Sequence, residues 1–494
     1  MQELLLGIDI GTSACKVAVF DKDGAVVAQT NKPYQVYYPE SGWVEQDPTE
    51  WWAAIVAGIR EVLTVDGVSA EEMKGIGIDG QSWSAIAIDR ERNVLCNTPI
   101  WMDTRARDIC ERVKKEVGGD EIFAVAGNDF LPSYSTPKIL WYKEERPELY
   151  GRIWKILQSN SYIGMMLTDE VSQDYSQGYG LHFFNMKKLE YDGGLAEKLG
   201  LSTEMVPEPV SCDHIIGEVT KKASELTGLK EGTPVVAGGL DAACGTLGAG
   251  VYKPGQTQEQ GGQAGGMSIC VDQALAHKKL ILSPHVVPGQ WLLQGGTVGG
   301  GGTLRWFKQE FGEGQSFDEL TALAEKVPAG SEGVVFLPYM AGERSPIWDP
   351  DAKGVFYGLG FDKTKGHLVR AVLEGVAFSL EHNLRTAAET GVAVSSLNAM
   401  GGASNSVLWT QIKADVTGKT INVPTSDTAT TLGAAILAGV GCGLYKDYDE
   451  AVGRTIRITR TQEPNPENRE VYQRMMELYL TLYEKLKGTF SRFS

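Results

Sequence analysis

Short apolar runs broken by turn residues open the chain. LLLGIDI (4–10), KVAVFD (16–21) and AVVAQT (25–30) are separated by GTSAC and by KDG, a turn signal, and this predicts a meander of antiparallel strands. The period then changes. In DPTEWWAAIVAGIREVL (47–63), Trp51, Ile55, Ile59 and Val62 fall on one helical face, with Asp47 as N-cap, Pro48 at the first helical position and Glu50 three residues past the cap. GIGID (75–79) and SAIAID (84–89) read as strands, and helical patterns follow near 106–117 and 137–146. Strands alternating with helices predict a mixed α/β domain.

A second round of this pattern is expected to begin at PVVAGG (234–239), to run through the glycine-rich segment 255–302 and to continue into a long helix over 367–389. Pro and Gly in VYKPG (251–255) mark the domain boundary, which gives an N-terminal domain over 1–250 and a C-terminal domain over 251–494. The stretch 466–487 has helical spacing, with Val471, Met475, Leu478, Leu482 and Leu486 on the face expected to dock. LLLGIDIGTS and VVAGGLDAACGT share an apolar run, a Gly-x-Asp or Gly-Leu-Asp turn and then small or hydroxyl residues, a hint of internal duplication.

Composition narrows the classes. A chain of 494 residues exceeds what one hydrophobic core serves, so two large domains are expected. Lys and Arg number 46 against 63 Asp and Glu, a formal net charge of −17, and no basic run is present to track a phosphate backbone; nucleic acid is not an expected partner. A polyanion entering so acidic a protein needs local backbone N–H groups and a divalent cation. The opening residues have no basic region followed by a long apolar one, and no stretch has the length needed to span a bilayer, so a cytoplasmic protein without a membrane partner is expected. The seven cysteines are scattered without a CxxC pair, which argues against zinc or a disulfide framework and for reduced, mostly buried thiols.

GIDIGTSACK sets Asp9 at a strand end and follows it with Gly11, Thr12, Ser13 and Lys16. Such a turn aims N–H groups and hydroxyls at one point and suits a phosphate, with a hydrated cation between that phosphate and Asp9; an ordinary hairpin with an Asx-turn fits the same residues. In GGLDAACGTLGAG, small neighbours leave Asp241 open to close approach by a substrate. It reads either as a general base for phosphoryl transfer or as a helix cap. Three glycine-rich stretches, 255–266, 295–303 and 400–406, permit close backbone approach to a bulky ligand. GIGIDG (75–80) formally matches GxGxxG, but its glycines lie within a strand pattern, so the dinucleotide-binding context is missing. Walker, HExxH and GxSxG motifs are absent, and the six histidines are isolated.

In this order the stretches resemble the FGGY family of carbohydrate kinases, over nearly the whole chain. SYSTPKILWYKEE (133–145), with Lys138 and Trp141, and GVFYGLGFDKTKGHLVRAVLE (354–374), with Gly358, His367 and Glu374, match the two family signatures. The resemblance implies an α/β fold of two actin-like ATPase (ribonuclease H-like) domains with a cleft between them, and ATP-dependent phosphorylation of a small sugar. By position it implies Asp241 as the base, Asp9 holding Mg²⁺ through water, and Thr12, Ser13 and Lys16 at the transferring phosphate. It further implies Gly262 and Gln263 in the phosphate hairpin, Gly301 where another backbone segment nears the nucleotide, and Gly401, Gly402 and Asn405 at the adenosine. Gln263 replaces the usual Thr.

On the sugar side, xylulokinases carry Gln-Met-His-Gly and glycerol kinases Gln-Arg-Glu where this chain has Gln81, Ser82 and Trp83; Trp101 and Asp103 in WMDTRA are further candidate sugar contacts. An indole covers the C–H face of a sugar without replacing the missing hydrogen bonds, and core packing is the other reading of Trp83 and Trp101. The overall pattern is closer to the xylulokinases, which makes a ketopentose such as D-xylulose the expected acceptor, with ribulose, erythritol or glycerol as alternatives. An actin-like ATPase without a sugar substrate would lack the two signatures, and a sugar-binding regulator would lack Asp241. Oligomeric state, a homodimer included, stays open.

Overall fold

The structure, a computed structural model, describes residues 3–425 and 428–493. Its two large sheets follow one plan. In the first, β1 (Leu4–Ile10), β2 (Ala14–Asp21) and β3 (Val26–Pro33) form the antiparallel meander expected from the sequence. β4 (Met73–Gly80) lies parallel to β1; β5 (Ile215–Glu218), β6 (Pro234–Val236) and β7 (Gly239–Leu240) complete the sheet in the order β5-β6-β4-β1-β2-β3, with β7 also on β4. In the second, β8 (Gln256–Gly261), β9 (Gly265–Val271), β10 (Ile281–Pro284), β11 (Trp291–Thr297), β12 (Ser396–Met400), β13 (Thr420–Pro424) and β14 (Ile458–Gln462) take the order β10-β11-β9-β8-β12-β13-β14.

Each sheet therefore has a meander whose first strand carries parallel neighbours on its other side. The duplication is real, but its second round opens at β8 and not at residue 234. PVVAGGL supplies β6 and β7 of the first sheet, where Gly239 and Leu240 pair with Asp79 and Gly80. Its likeness to the start of the chain reflects a shared need, a carboxylate at a strand end beside small residues.

Helix α1 (Pro48–Val62) matches its expected cap and face: the Asp47 carboxylate accepts the Thr49 N–H, and Trp51, Ile55, Ile59 and Val62 are buried. α2 (Ser135–Glu145) is buried over most of its length. α3 (Asp241–Gly248) begins directly after β7. α4 (Gly301–Phe311), α5 (Lys365–Ala388) and α6 (Val407–Thr417) pack with the second sheet, α5 as its long buried helix. α7 (Ala429–Gly441) returns to the first sheet and packs against β1, β4 and α3. A Cβ added at Gly77 would overlap the Ala434 carbonyl oxygen, and one at Gly433 would overlap that of Cys244, so backbone meets backbone along this seam.

α8 (Arg469–Phe490) docks as expected but on a rotated face: Tyr472, Met475, Met476, Tyr479 and Leu482 are buried, whereas Val471, Leu478 and Leu486 are only half-buried. The hydroxyls explain the rotation. Tyr472 donates to Glu374 at 2.9 Å, inside the buried Arg370–Glu374 ion pair, and Tyr339 donates to Tyr479 at 2.8 Å. Glu374 and His367 of the second signature are thus architectural: His367 Nδ1 accepts the Thr364 N–H at the start of α5. All seven cysteines are free, and among the described residues no helix is long and apolar enough to cross a membrane.

The seam makes a quantitative expectation. Gly77→Ala should lower stability in urea by about 3 kcal/mol, because the overlap is with backbone that cannot rotate away. Gly453→Ala, in an exposed helical position with nothing within 4 Å, should raise it by about 0.5 kcal/mol. Equal effects at the two sites would contradict close packing at the seam.

Candidate active site

The two sheets face each other across a cleft of about 850 Å³. Its first wall comes from strand ends and the turns after them. Asp9, next to last in β1, is in register with Asp79, next to last in β4, and Asp241 is the first residue of α3. Asp241 is not the helix cap, a position held by Leu240; its Oδ1 accepts the Ala242 N–H at 2.6 Å and the carboxylate lines the cleft. Asp9 lines it too, and its Oδ2 accepts a hydrogen bond from Thr430 Oγ1 at 2.9 Å, a residue delivered by the first turn of α7.

The three carboxylates shape one another's chemistry. Burial raises Asp9, partly offset by Thr430, Asp79 and the Lys16 charge. Burial, and then the charges of Asp9 and Asp241, hold the fully buried Asp79 well above the usual carboxylate range, which favours its protonated form. Burial and then Asp9 push Asp241 up to about 7. A carboxylate balanced there can accept a proton near neutral pH.

Beside these groups lies an aromatic bay. Trp83 and Tyr179 line the cleft, Trp83 stacks on Tyr134 with centroids 4.1 Å apart, and Tyr179 donates to Ser82 Oγ at 2.8 Å. Trp101 donates from Nε1 to Thr12 Oγ1 at 3.0 Å, which ties the bay to the turn after β1. Lys138 of the first signature is fully buried, and its Nζ donates to the carbonyls of Trp83 and Ile100, each at 2.8 Å. Burial lowers this ammonium to about 7. It fixes Trp83, whose φ of 62° is left-handed, and the residue before Trp101.

Gln81 and Asp103 do not line the cleft. Gln81 is buried, with Nε2 donating to Gln46 Oε1 at 2.7 Å. Asp103 is buried and bound by the Arg105 guanidinium, with Oδ2 also accepting the Val44 N–H at 2.7 Å. Through these bonds both hold the neighbouring loops. Ser13 is exposed but lies off the cleft wall.

The opposite wall is built on the β8–β9 hairpin. Gly261, Gly262, Ala264 and Gly265 line the cleft, as do Gly401, Gly402 and Asn405 across from them. Gly401 has φ +83°, and a Cβ there would come within 2.9 Å of Gly261, so the two glycine turns form a cradle that side chains would fill. Gln263 and Gly301 lie outside the cleft lining. The Gly301 N–H donates to Gly262 O at 2.6 Å, the Gly302 N–H donates to Gln263 O at 3.0 Å, and the Gln263 side chain rests against Gly302. The start of α4 thus anchors the hairpin with its own donors.

The cradle and the open N–H-bearing hairpin fit a nucleotide's phosphates and adenosine. Among the described residues no group of three or more His, Cys, Asp or Glu is placed to hold a metal ion, so any divalent cation would depend on one carboxylate with water and substrate oxygens, the mode suited to Mg²⁺. Asp79, Tyr179, Gln258, Arg344 and Thr430 were not singled out by the sequence reading. Asp79 sat inside the discarded GIGIDG, and Thr430 in TATTLGAAILAG carried no signal beyond small residues.

Known proteins agree with this geometry. Residues 4–248 match the N-terminal domain, and residues 271–442 the C-terminal domain, of the FGGY family of carbohydrate kinases. The xylulose kinase of Bacillus subtilis (strain 168) is 30% identical over 98% of this chain and 97% of its own. The crystal structure of xylulose kinase from Rhodospirillum rubrum superimposes with a TM-score of 0.93 at 30% identity, covering 99% of this chain and 100% of that one. That of gluconate kinase from Lactobacillus acidophilus does so with a TM-score of 0.92 at 26% identity, covering 100% of both. With both domain models matched in order, and a carboxylate-lined cleft between two actin-like domains, the chain belongs to the FGGY family of carbohydrate kinases.

Proposed function

We propose that this enzyme transfers the γ-phosphoryl group of ATP to a hydroxyl of a ketopentose such as D-xylulose, giving the sugar phosphate and ADP. The observation that carries the reading is Asp241 at the cleft wall, with its carboxyl raised to about 7, across from the glycine cradle. Residues 1–250 would bind the sugar and carry the base; residues 251–494 would bind ATP.

The acceptor hydroxyl lies against Asp241, which takes its proton as the oxygen attacks phosphorus. Thr12 and Lys16 face the transferred group, the latter with positive charge. Asp9, held by Thr430, is the residue that would keep a hydrated Mg²⁺ beside the phosphates. When bound, the cation supplies charge neutralisation on the phosphate oxygens. Trp83 covers the C–H face of the sugar, and closure of the cleft excludes water so that the sugar is phosphorylated in preference to hydrolysis of ATP.

The bay formed by Ser82, Trp83, Trp101 and Tyr179 is neutral, which favours an uncharged ketose over a sugar acid. The gluconate kinase among its structural neighbours makes D-gluconate the second reading. The test is sugar phosphate formation measured by mass spectrometry over D-xylulose, D-ribulose, erythritol, glycerol and D-gluconate. D-xylulose should exceed D-gluconate in kcat/KM by about tenfold or more, the value of one well-placed contact; the reverse order would move the acceptor to the sugar acids.

Asp241→Asn should lower kcat by at least about 100-fold while ADP affinity measured by calorimetry stays within about twofold, since proton acceptance is removed at almost constant volume. The base works only when ionised. In the wild type, kcat/KM should therefore level off above pH of about 7 and fall tenfold per pH unit below it. A flat profile from pH 5 to 8 would remove Asp241 from this role.

A further inference from the structure

Between α4 and α5 the chain returns to the cleft in the loop Gly342–Pro346, and its residues are fixed one by one onto β11 and the turn that follows. The Val298 N–H donates to Glu343 Oε1 at 2.7 Å. The Gly296 N–H donates to Ser345 Oγ at 2.7 Å, the Ser345 N–H donates to Gly296 O at 3.1 Å, and Asn383 Nδ2 donates to Ser345 O at 3.1 Å. The residues on either side of Arg344 are thus pinned and buried, while Arg344 itself is exposed and lines the cleft.

Its guanidinium lies over Gly296, with Cζ 3.0 Å from where a Cβ at that position would be, so a residue larger than glycine would crowd it. Gly296 pairs with Gly266, which places the guanidinium beside the β8–β9 hairpin and on the side away from Gly401 and Asn405. Five N–H donors are available, and the hydrogen bond found for them among the described residues is one of 3.3 Å from Nη2 to Thr297 O. No carboxylate is paired with it among those residues. Glu343 is adjacent in sequence, but its Oε1 is taken by the N–H groups of Val298 and Arg344, and burial raises its carboxyl to about 7, which weakens its claim on the guanidinium. Among the described residues, the other cation on the cleft wall is Lys16, from the opposite sheet.

Arg344 is thus pinned on both sides through its neighbours, its guanidinium faces a cleft rimmed by Asp9 and Asp241, and among the described residues that guanidinium has one long hydrogen bond and no carboxylate partner. We propose that Arg344 is an oxyanion receptor in the cleft, its free N–H fork engaging an anionic group of a bound ligand. The inference rests on the phosphotransferase reading above. Two sources share this chemistry, the phosphoryl oxygens of the nucleotide and the carboxylate of an acid sugar; the position beside the hairpin favours the phosphoryl oxygens.

The test uses the full chain as wild type, Arg344→Lys and Arg344→Met, with binding of the ATP analogue adenylyl imidodiphosphate followed by calorimetry and phosphorylation of D-xylulose and D-gluconate followed at steady state. Arg344 is exposed and makes one long hydrogen bond, so both variants should fold. With the phosphoryl source, Arg344→Met should weaken analogue binding or lower kcat/KM for every acceptor by about ten- to a hundredfold, with Arg344→Lys intermediate. A loss of that size confined to D-gluconate identifies the carboxylate source. Analogue binding and both activities within twofold of wild type would overturn the proposal. A wild type that phosphorylates neither sugar, paired with an Arg344→Met variant that still binds the analogue tenfold more weakly, would keep the receptor and discard the proposed acceptor.

Discussion

The seam between α7 and the first sheet is the constraint on which the site depends. Small residues at positions 7, 77, 248 and 433 let backbones approach to contact, so a helix from the last quarter of the chain lies directly on β1, β4 and α3. That contact sets Thr430 against Asp9, and it aligns α3, whose first residue is Asp241, with the hairpin that faces it. A second tie crosses nearby, where Thr246 of α3 donates to Gln258 of β8 at 2.8 Å. The two domains are therefore joined at the base of the cleft by glycine contacts and a few hydrogen bonds, and elsewhere Asn128 and Leu282 exchange hydrogen bonds of 2.8 and 3.0 Å while Trp291 Nε1 donates to Met186 O at 2.9 Å.

The same geometry concentrates negative charge. Asp9 and Asp79 face each other near the ends of paired strands, and Asp241 follows a strand that pairs with β4 at that same Asp79. Three carboxylates brought together by β pairing cannot all ionise cheaply, and the result is a buried Asp79 that favours its proton and an Asp241 poised near neutrality. In a chain of formal charge −17, the cleft answers this with Lys16, with Arg344 and with backbone N–H groups of glycine turns. A polyphosphate fits this arrangement, with Lys16 beside the acids on one wall and Arg344 with the glycine turns on the other.

Much of this was readable in advance, because local rules and close approach leave marks in sequence. The cap and face of α1, the opening meander, and the glycine turns at 262 and 401–402 came from residue types whose backbone behaviour is restrictive. The two signature segments pointed to the family, yet Lys138 and Glu374 within them act structurally here: Lys138 holds carbonyls, and Glu374 anchors Tyr472. What sequence concealed were the side chains' third-dimension partners. Asp103 and Gln81 stand next to Trp101 and Trp83 but turn to Arg105 and Gln46. The α8 face rotated because hydroxyls of Tyr472 and Tyr479 found buried partners, a preference no periodicity shows. Thr430, 421 positions from Asp9, could be located only by folding the chain.

Coupling of nucleotide to acceptor is the central claim, since the two are assigned to opposite walls of one cleft. ADP formation from ATP, followed with and without a panel of ketoses, polyols and sugar acids, tests it most directly. At least one acceptor should raise the rate by about a hundredfold or more over the acceptor-free rate, with sugar phosphate formed mole for mole with ADP. Steady ATP hydrolysis that no acceptor stimulates would contradict the account.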